Sequence, residues 1–152
     1  MQTLLVLHNL FRWLILIFGF WTLISAISGL SSGRIYSAAD GKANLFFMIT
    51  MDIQLLLGLA LYFMNGWYTG LNNMGESMKE PMVRFFTVEH SFMMIVAWIL
   101  VHVGRVAVKK AFNSGGKFKK TLLFFGIALL LILIAIPWPF REAISRPWFR
   151  WF

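Results

Sequence analysis

Three histidines, at positions 8, 90 and 102, stand in a 152-residue chain that has no cysteine. Around them, inside otherwise apolar runs, are Arg12, Asp52, Gln54, Arg84, Glu89 and Arg105. Side chains of these types can carry a proton, hold an anion or ligate a metal. Neutral imidazole is a standard haem ligand. Without cysteine, disulfides, thiolate metal sites and thiol nucleophiles are excluded. Ionisable groups in apolar surroundings are costly and usually mark function.

Spacing along a helix decides which of them can meet. At a rise of about 1.5 Å per residue, His8 lies roughly 8 Å inside the first apolar run and His90 about 10 Å inside the third. The two share a level. They could ligate one b-type haem from opposite faces, hydrogen-bond to each other, or form a metal site together with Glu89. Cofactor sites in bundles are built from facing helices in this way. His102 is twelve residues beyond His90 and has no histidine partner at its depth. Together with Arg105 it could meet a haem propionate or a quinone headgroup. Arg12 is one turn from His8 on the same helix face, and it could pair with Asp52 near the midplane, either as an ion pair locking the first two helices or as a proton or quinone contact. Met74, Met78 and Met82 recur every four residues. That stripe reads as the apolar face of a short interfacial helix, or as thioether ligands for copper(I).

The elements that must hold these groups are membrane spans. Of the residues, 59% are apolar and only 13% charged, against about 25% charged in soluble domains. So few charges could not cover a water-facing surface. Four continuous apolar stretches, at about 3–30, 43–64, 83–108 and 121–136, each approach the ~20 residues that a spanning helix needs. The expected fold is all-α: a single integral membrane domain, a four-helix up-down bundle. The first run lacks a basic leading region and carries Arg12 in its middle, so it reads as a retained helix rather than a signal peptide. The fourth run holds no ionisable group and reads as a mostly lipid-facing wall. The tail, 141–152, mixes arginines with Trp148, Phe149, Trp151 and Phe152, a composition suited to a membrane interface.

The formal net charge of +8 lies in particular linkers, so it speaks for orientation rather than for nucleic acid. The first and third linkers hold Arg34, Lys42, Arg105, Lys109, Lys110, Lys117, Lys119 and Lys120. The other side holds Lys79, Arg84, Arg141, Arg146 and Arg150, which is eight cations against five. The positive-inside rule then puts both termini outside a bacterial inner membrane.

The stretches LHNLFRW at 7–13, MDIQLLLGLALYF at 51–63, RFFTVEH at 84–90, HVGR at 102–105 and AIPWPF at 135–140 occur in an order that resembles small four-helix membrane proteins of Bacteroidota labelled cytochrome B. The likeness covers nearly the whole chain. It implies a haem b-binding electron carrier with His8 and His90 as iron ligands and His102 as substitute, and its pattern includes Arg12, Asp52, Glu89 and Arg105. Di-haem b-type bundles need four histidines, and this chain has three. Expected partners are the lipid bilayer, a quinone, a membrane or periplasmic redox protein and a second copy of the chain. Two other functions compete. One is an accessory subunit of a larger membrane complex. The other is a small proton-linked transporter using Arg12, Asp52 and Glu89. Phosphate-loop, dinucleotide and nucleophile-elbow signatures are absent.

Overall fold

A computed structural model describes residues 1–151. Four long helices, which we number α1 to α4, are Gln2–Ser32, Ala38–Met64, Pro81–Lys109 and Ser114–Ala135. Each is long and apolar enough to cross a membrane. The fold is an all-α bundle of a multi-pass membrane protein, as the apolar runs require: in hydrocarbon only a helix satisfies its own backbone.

The helix ends follow local chemistry. Gly33 takes the left-handed conformation, φ 64°, that closes α1. Ser37 starts α2 five residues before the apolar run, through a capping box with Asp40. Asn113 accepts the backbone N–H of Gly116 and starts α4 seven residues early, taking in Lys117, Lys119 and Lys120. Pro81 opens α3, where its missing N–H costs nothing. A π-turn at Phe85–Glu89 then inserts an extra residue per turn and sets the direction of His90.

Around the bundle α1 touches α2 and α4, and α3 touches α4 and α2, so α1 and α3 face each other across the diagonal. The tightest pairing is α3 with α4 and the loosest neighbouring pair is α2 with α3. The core contains Ile15, Phe47, Val101, Phe125 and Leu129. Contrary to the expectation of a lipid-facing wall, α4 is the packing centre. Its Phe118, Thr121, Phe125, Ala128, Leu129, Ile132 and Ala135 are buried. An absence of ionisable groups says only that a helix avoids water, and both lipid and protein core meet that condition.

At 31 residues α1 outruns the bilayer. Counting ~20 residues back from Ser32 reaches Trp13. Trp13 touches Trp138 and Trp148 at ring separations of 6.4 and 6.3 Å, an aromatic belt at that level. Beyond the belt lies a cap built from the start of α1, a 3-10 turn at Trp67–Asn73, a single α-turn at Met74–Ser77 and the tail. The tail is more than an interfacial strip, since it packs along α1. Phe152, part of the tail as read from sequence, falls outside the described residues.

Two glycines separate close packing from open surface. A Cβ at Gly104 of α3 would lie 2.5 Å from Phe124 Cβ, whereas one at Gly126 would meet nothing nearer than 3.9 Å. Gly104→Val should therefore push α3 from α4 and cost about 1–3 kcal/mol. Gly126→Ala should be neutral or better. Thermal unfolding in detergent, read by circular dichroism, compares the two.

Candidate functional site

The histidine pair is held from both sides. On α2, Gln54 Nε2 donates to the His8 carbonyl at 3.1 Å and lies 3.4 Å from His8 Nε2. Gly58, one turn on, leaves room for the ring: a Cβ there would sit 3.4 Å from His8 Cε1. His90 follows the π-turn and its Nδ1 donates to the Ala135 carbonyl at 2.8 Å. That carbonyl belongs to the last turn of α4, where carbonyls lack helical partners. Trp138 Nε1 and Arg141 Nη1 donate to the neighbouring carbonyls of Leu133 and Ile134 at 2.9 and 2.7 Å. His90 is thus part of a side-chain cap on α4.

The two rings lie 6.4 Å apart between centroids, with planes at 65°. They make no hydrogen bond to each other. His90 Nε2 has no partner among the described residues, and His8 Nδ1 is buried without one. The Nδ1–H bond to Ala135 leaves His90 Nε2 as a lone pair. Phe85 and Phe86 flank the His90 ring at 5.6 and 6.1 Å. Two metal–imidazole bonds of about 2 Å each, with the near half of each ring, span roughly 6 Å. The 6.4 Å centroid separation is of that size, with the ring planes crossing at 65° in an edge arrangement. Glu89 is not part of the pair. Its carboxylate pairs with Arg84 at 2.7 Å, and no cluster of three metal-ligating side chains occurs among the described residues. This removes the three-ligand reading.

Arg12 does not pair with Asp52. It is 8% exposed and its Nη2 donates to the carbonyls of Pro147, at 3.3 Å, and Trp148. Its guanidinium lies 5.3 Å from the Trp13 ring and 5.9 Å from Trp138. Arg12 Nε is buried without a partner. Trp13 Nε1 also donates to the Trp148 carbonyl at 3.1 Å, and Gln2 Nε2 to that of Trp151 at 3.2 Å. The intramembrane cation is a clasp for the tail. An ion pair was the natural expectation from sequence because the tail, more than 130 residues away, offers Arg12 only backbone oxygens.

Asp52 turns the other way, toward α3. Its Oδ1 accepts from Trp98 Nε1 at 2.6 Å and lies 3.2 Å from His102 Nε2. His102 Nδ1 donates to the Trp98 carbonyl at 3.0 Å. Trp98 is the residue that sequence reasoning missed. Its position four residues before His102 on one helix face was the available signal.

Arg105 donates to the Gly41 carbonyl at 3.2 Å. With Tyr36, Lys109 and Lys117 it lines a cavity of about 110 Å³ at the lysine-rich end. Fifteen residues separate it from His90, roughly 22 Å along the helix, so the two do not share a site. A second ion pair was not read from sequence: Arg34 grips Asp40 at 2.7 Å through both nitrogens, and Ser25 of α1 also donates to Asp40. The three methionines do not share one helix, because the α-turn ends at Ser77 and the next helix starts at Pro81. All three are exposed.

No protein-family model matches the chain, and no curated protein or solved structure matches it.

Hydrogen bonds to a charged donor are each worth about 1.5–3 kcal/mol. Arg12→Gln should release the tail and raise amide exchange over residues 146–151 by roughly tenfold or more, while exchange within α2 and α4 stays unchanged. Hydrogen–deuterium exchange in detergent or nanodiscs measures both.

Proposed function

We propose that the chain is a small membrane cytochrome, in which His8 and His90 would hold the iron of one b-type haem between α1 and α3. It would carry electrons from quinol to a membrane or periplasmic acceptor. The observation that supports this is the neighbouring pair of imidazoles, 6.4 Å apart between centroids, with the His90 ring fixed through Nδ1 and His8 Nδ1 buried without a protein partner. Bound haem supplies reversible one-electron chemistry.

The chain's own residues prepare such a site. The Ala135 carbonyl fixes the His90 tautomer and ring, the outer-shell role that metal-bound histidines usually require. Gln54 anchors the His8 backbone. Arg12, one turn from His8, has a free Nε that can donate to a carboxylate. Phe85 and Phe86 keep water from the His90 side. With the aromatic belt at Trp13, His8 would lie about 7 Å to the tail side of it, within reach of an acceptor on that surface. Eight cations at the opposite end favour a cytoplasmic lysine-rich face in a bacterial inner membrane, with both termini periplasmic.

Expression with a haem supply, followed by purification in mild detergent, should give a Soret band whose reduced spectrum has the sharp α-band of a bis-imidazole haem. His8→Ala and His90→Ala should each abolish or strongly broaden it. His102→Ala should leave it intact. Protein that folds but shows no Soret band sinks the assignment.

A further inference from the structure

Asp52 and His102 meet on the outside of the bundle, facing lipid. The Trp98 carbonyl only accepts, so His102 Nδ1 carries a hydrogen. His102 Nε2 then meets Asp52 Oδ1 at 3.2 Å. The contact joins an imidazole nitrogen to a carboxylate oxygen that also accepts from Trp98 Nε1.

The pair is not enclosed. The Asp52 and His102 side chains are 39% and 32% exposed. On α2, Asp52 lies in one stripe with Ile49 and Leu56, exposed by 40% and 68%. On α3, His102 is bordered by Ile99 and Val103, both exposed. This is the seam between α2 and α3, the loosest neighbouring pair of the bundle. Ten residues separate Lys42 from Asp52, roughly 15 Å of helix, which is near mid-bilayer. Polar groups at that depth normally face the bundle interior. These face outward, so their natural complement is a polar group delivered by the lipid phase.

We propose that this seam binds the headgroup of a lipid-soluble quinone or quinol. Protonated, His102 can donate through Nε2 to a quinone carbonyl. Asp52 Oδ2, which has no partner among the described residues, can accept from a quinol hydroxyl. Both oxidation states are therefore matched at one place. The Trp98 and His102 rings, 4.2 Å apart and tilted by 41°, add aromatic surface beside the pair, and the aliphatic stripes on each side suit an isoprenoid tail. A second copy of the chain fits less well. Close helix pairing in lipid uses small residues, and these stripes carry Ile49, Leu56, Ile95, Ile99 and Val103. Gly58 and Gly104 point inward, toward His8 and Phe124. The inference rests on the cytochrome reading only for the role of the bound molecule as electron donor; binding itself needs no haem. Asp52 is six residues from Gly58, which touches His8, a drop of roughly 9 Å.

Photolabelling of the full chain in nanodiscs with an azido derivative of decylubiquinone tests the site. Label should concentrate on residues 49–56 and 95–103 and be displaced by unlabelled decylubiquinone. Asp52→Asn should weaken displacement about tenfold or more, the loss expected for one charge-assisted hydrogen bond. Leu56→Trp blocks the seam from an exposed position without touching the core, and should lower labelling even if Asp52→Asn misfolds. Label spread evenly over the lipid-facing residues of all four helices overturns the proposal. So does unchanged labelling in both variants, or a dimer cross-linked through position 56. Labelling lost with an intact Soret band removes the quinone site alone. Labelling retained without a Soret band removes the haem alone.

Discussion

Hydrocarbon offers no hydrogen bonds, so each polar group in this chain must be matched by another group of the chain or by something the membrane brings. The C-terminus of α4 is governed by this constraint. Its carbonyls point out of the helix at the aromatic belt, and the donors that meet them come from His90, Trp138 and Arg141. Capping one helix thereby fixes the ring of a histidine on another. Arg12 obeys the same rule from the donor side and takes two backbone carbonyls of the tail.

This requirement explains why α4, which holds no ionisable group within its apolar run, organises the site. It packs tightly on α3 through close approach at Gly104 and also contacts α1, so it spans the gap between the diagonal helices that carry His8 and His90. The Asn44 amide on α2 donates to Thr121 Oγ1 of α4 at 3.4 Å, tying the remaining helix near the lysine-rich end. With α4 at the centre, α2 and α3 are left only loosely joined, and the Asp52–His102 pair opens to lipid there.

The molecule is consequently polar at three separate levels. Cations and the Arg34–Asp40 pair lie at the lysine-rich end. The Asp52–His102 pair lies near the middle, reachable from the lipid. The histidine pair lies at the far edge, enclosed by the cap.

Sequence alone determined that the chain crosses a membrane in four helices, and it brought His8 and His90 to a common level. Both come from local rules: apolar length sets the span and a fixed rise per residue sets depth. It did not determine azimuth. Depth allowed Arg12 to meet Asp52, but rotation about the helix axes turned one to the tail and the other to α3. The long apolar run of α4 had no polar marker to show which side faced protein, so only packing revealed it as the core. The tail clasp and the cap on α4 depend on backbone oxygens, which every residue has and no motif flags. The four-helix bundle was legible because hydrophobicity is summed over twenty residues. The pairings within it were not, because each depends on the angle of one side chain, which the tertiary structure alone fixed.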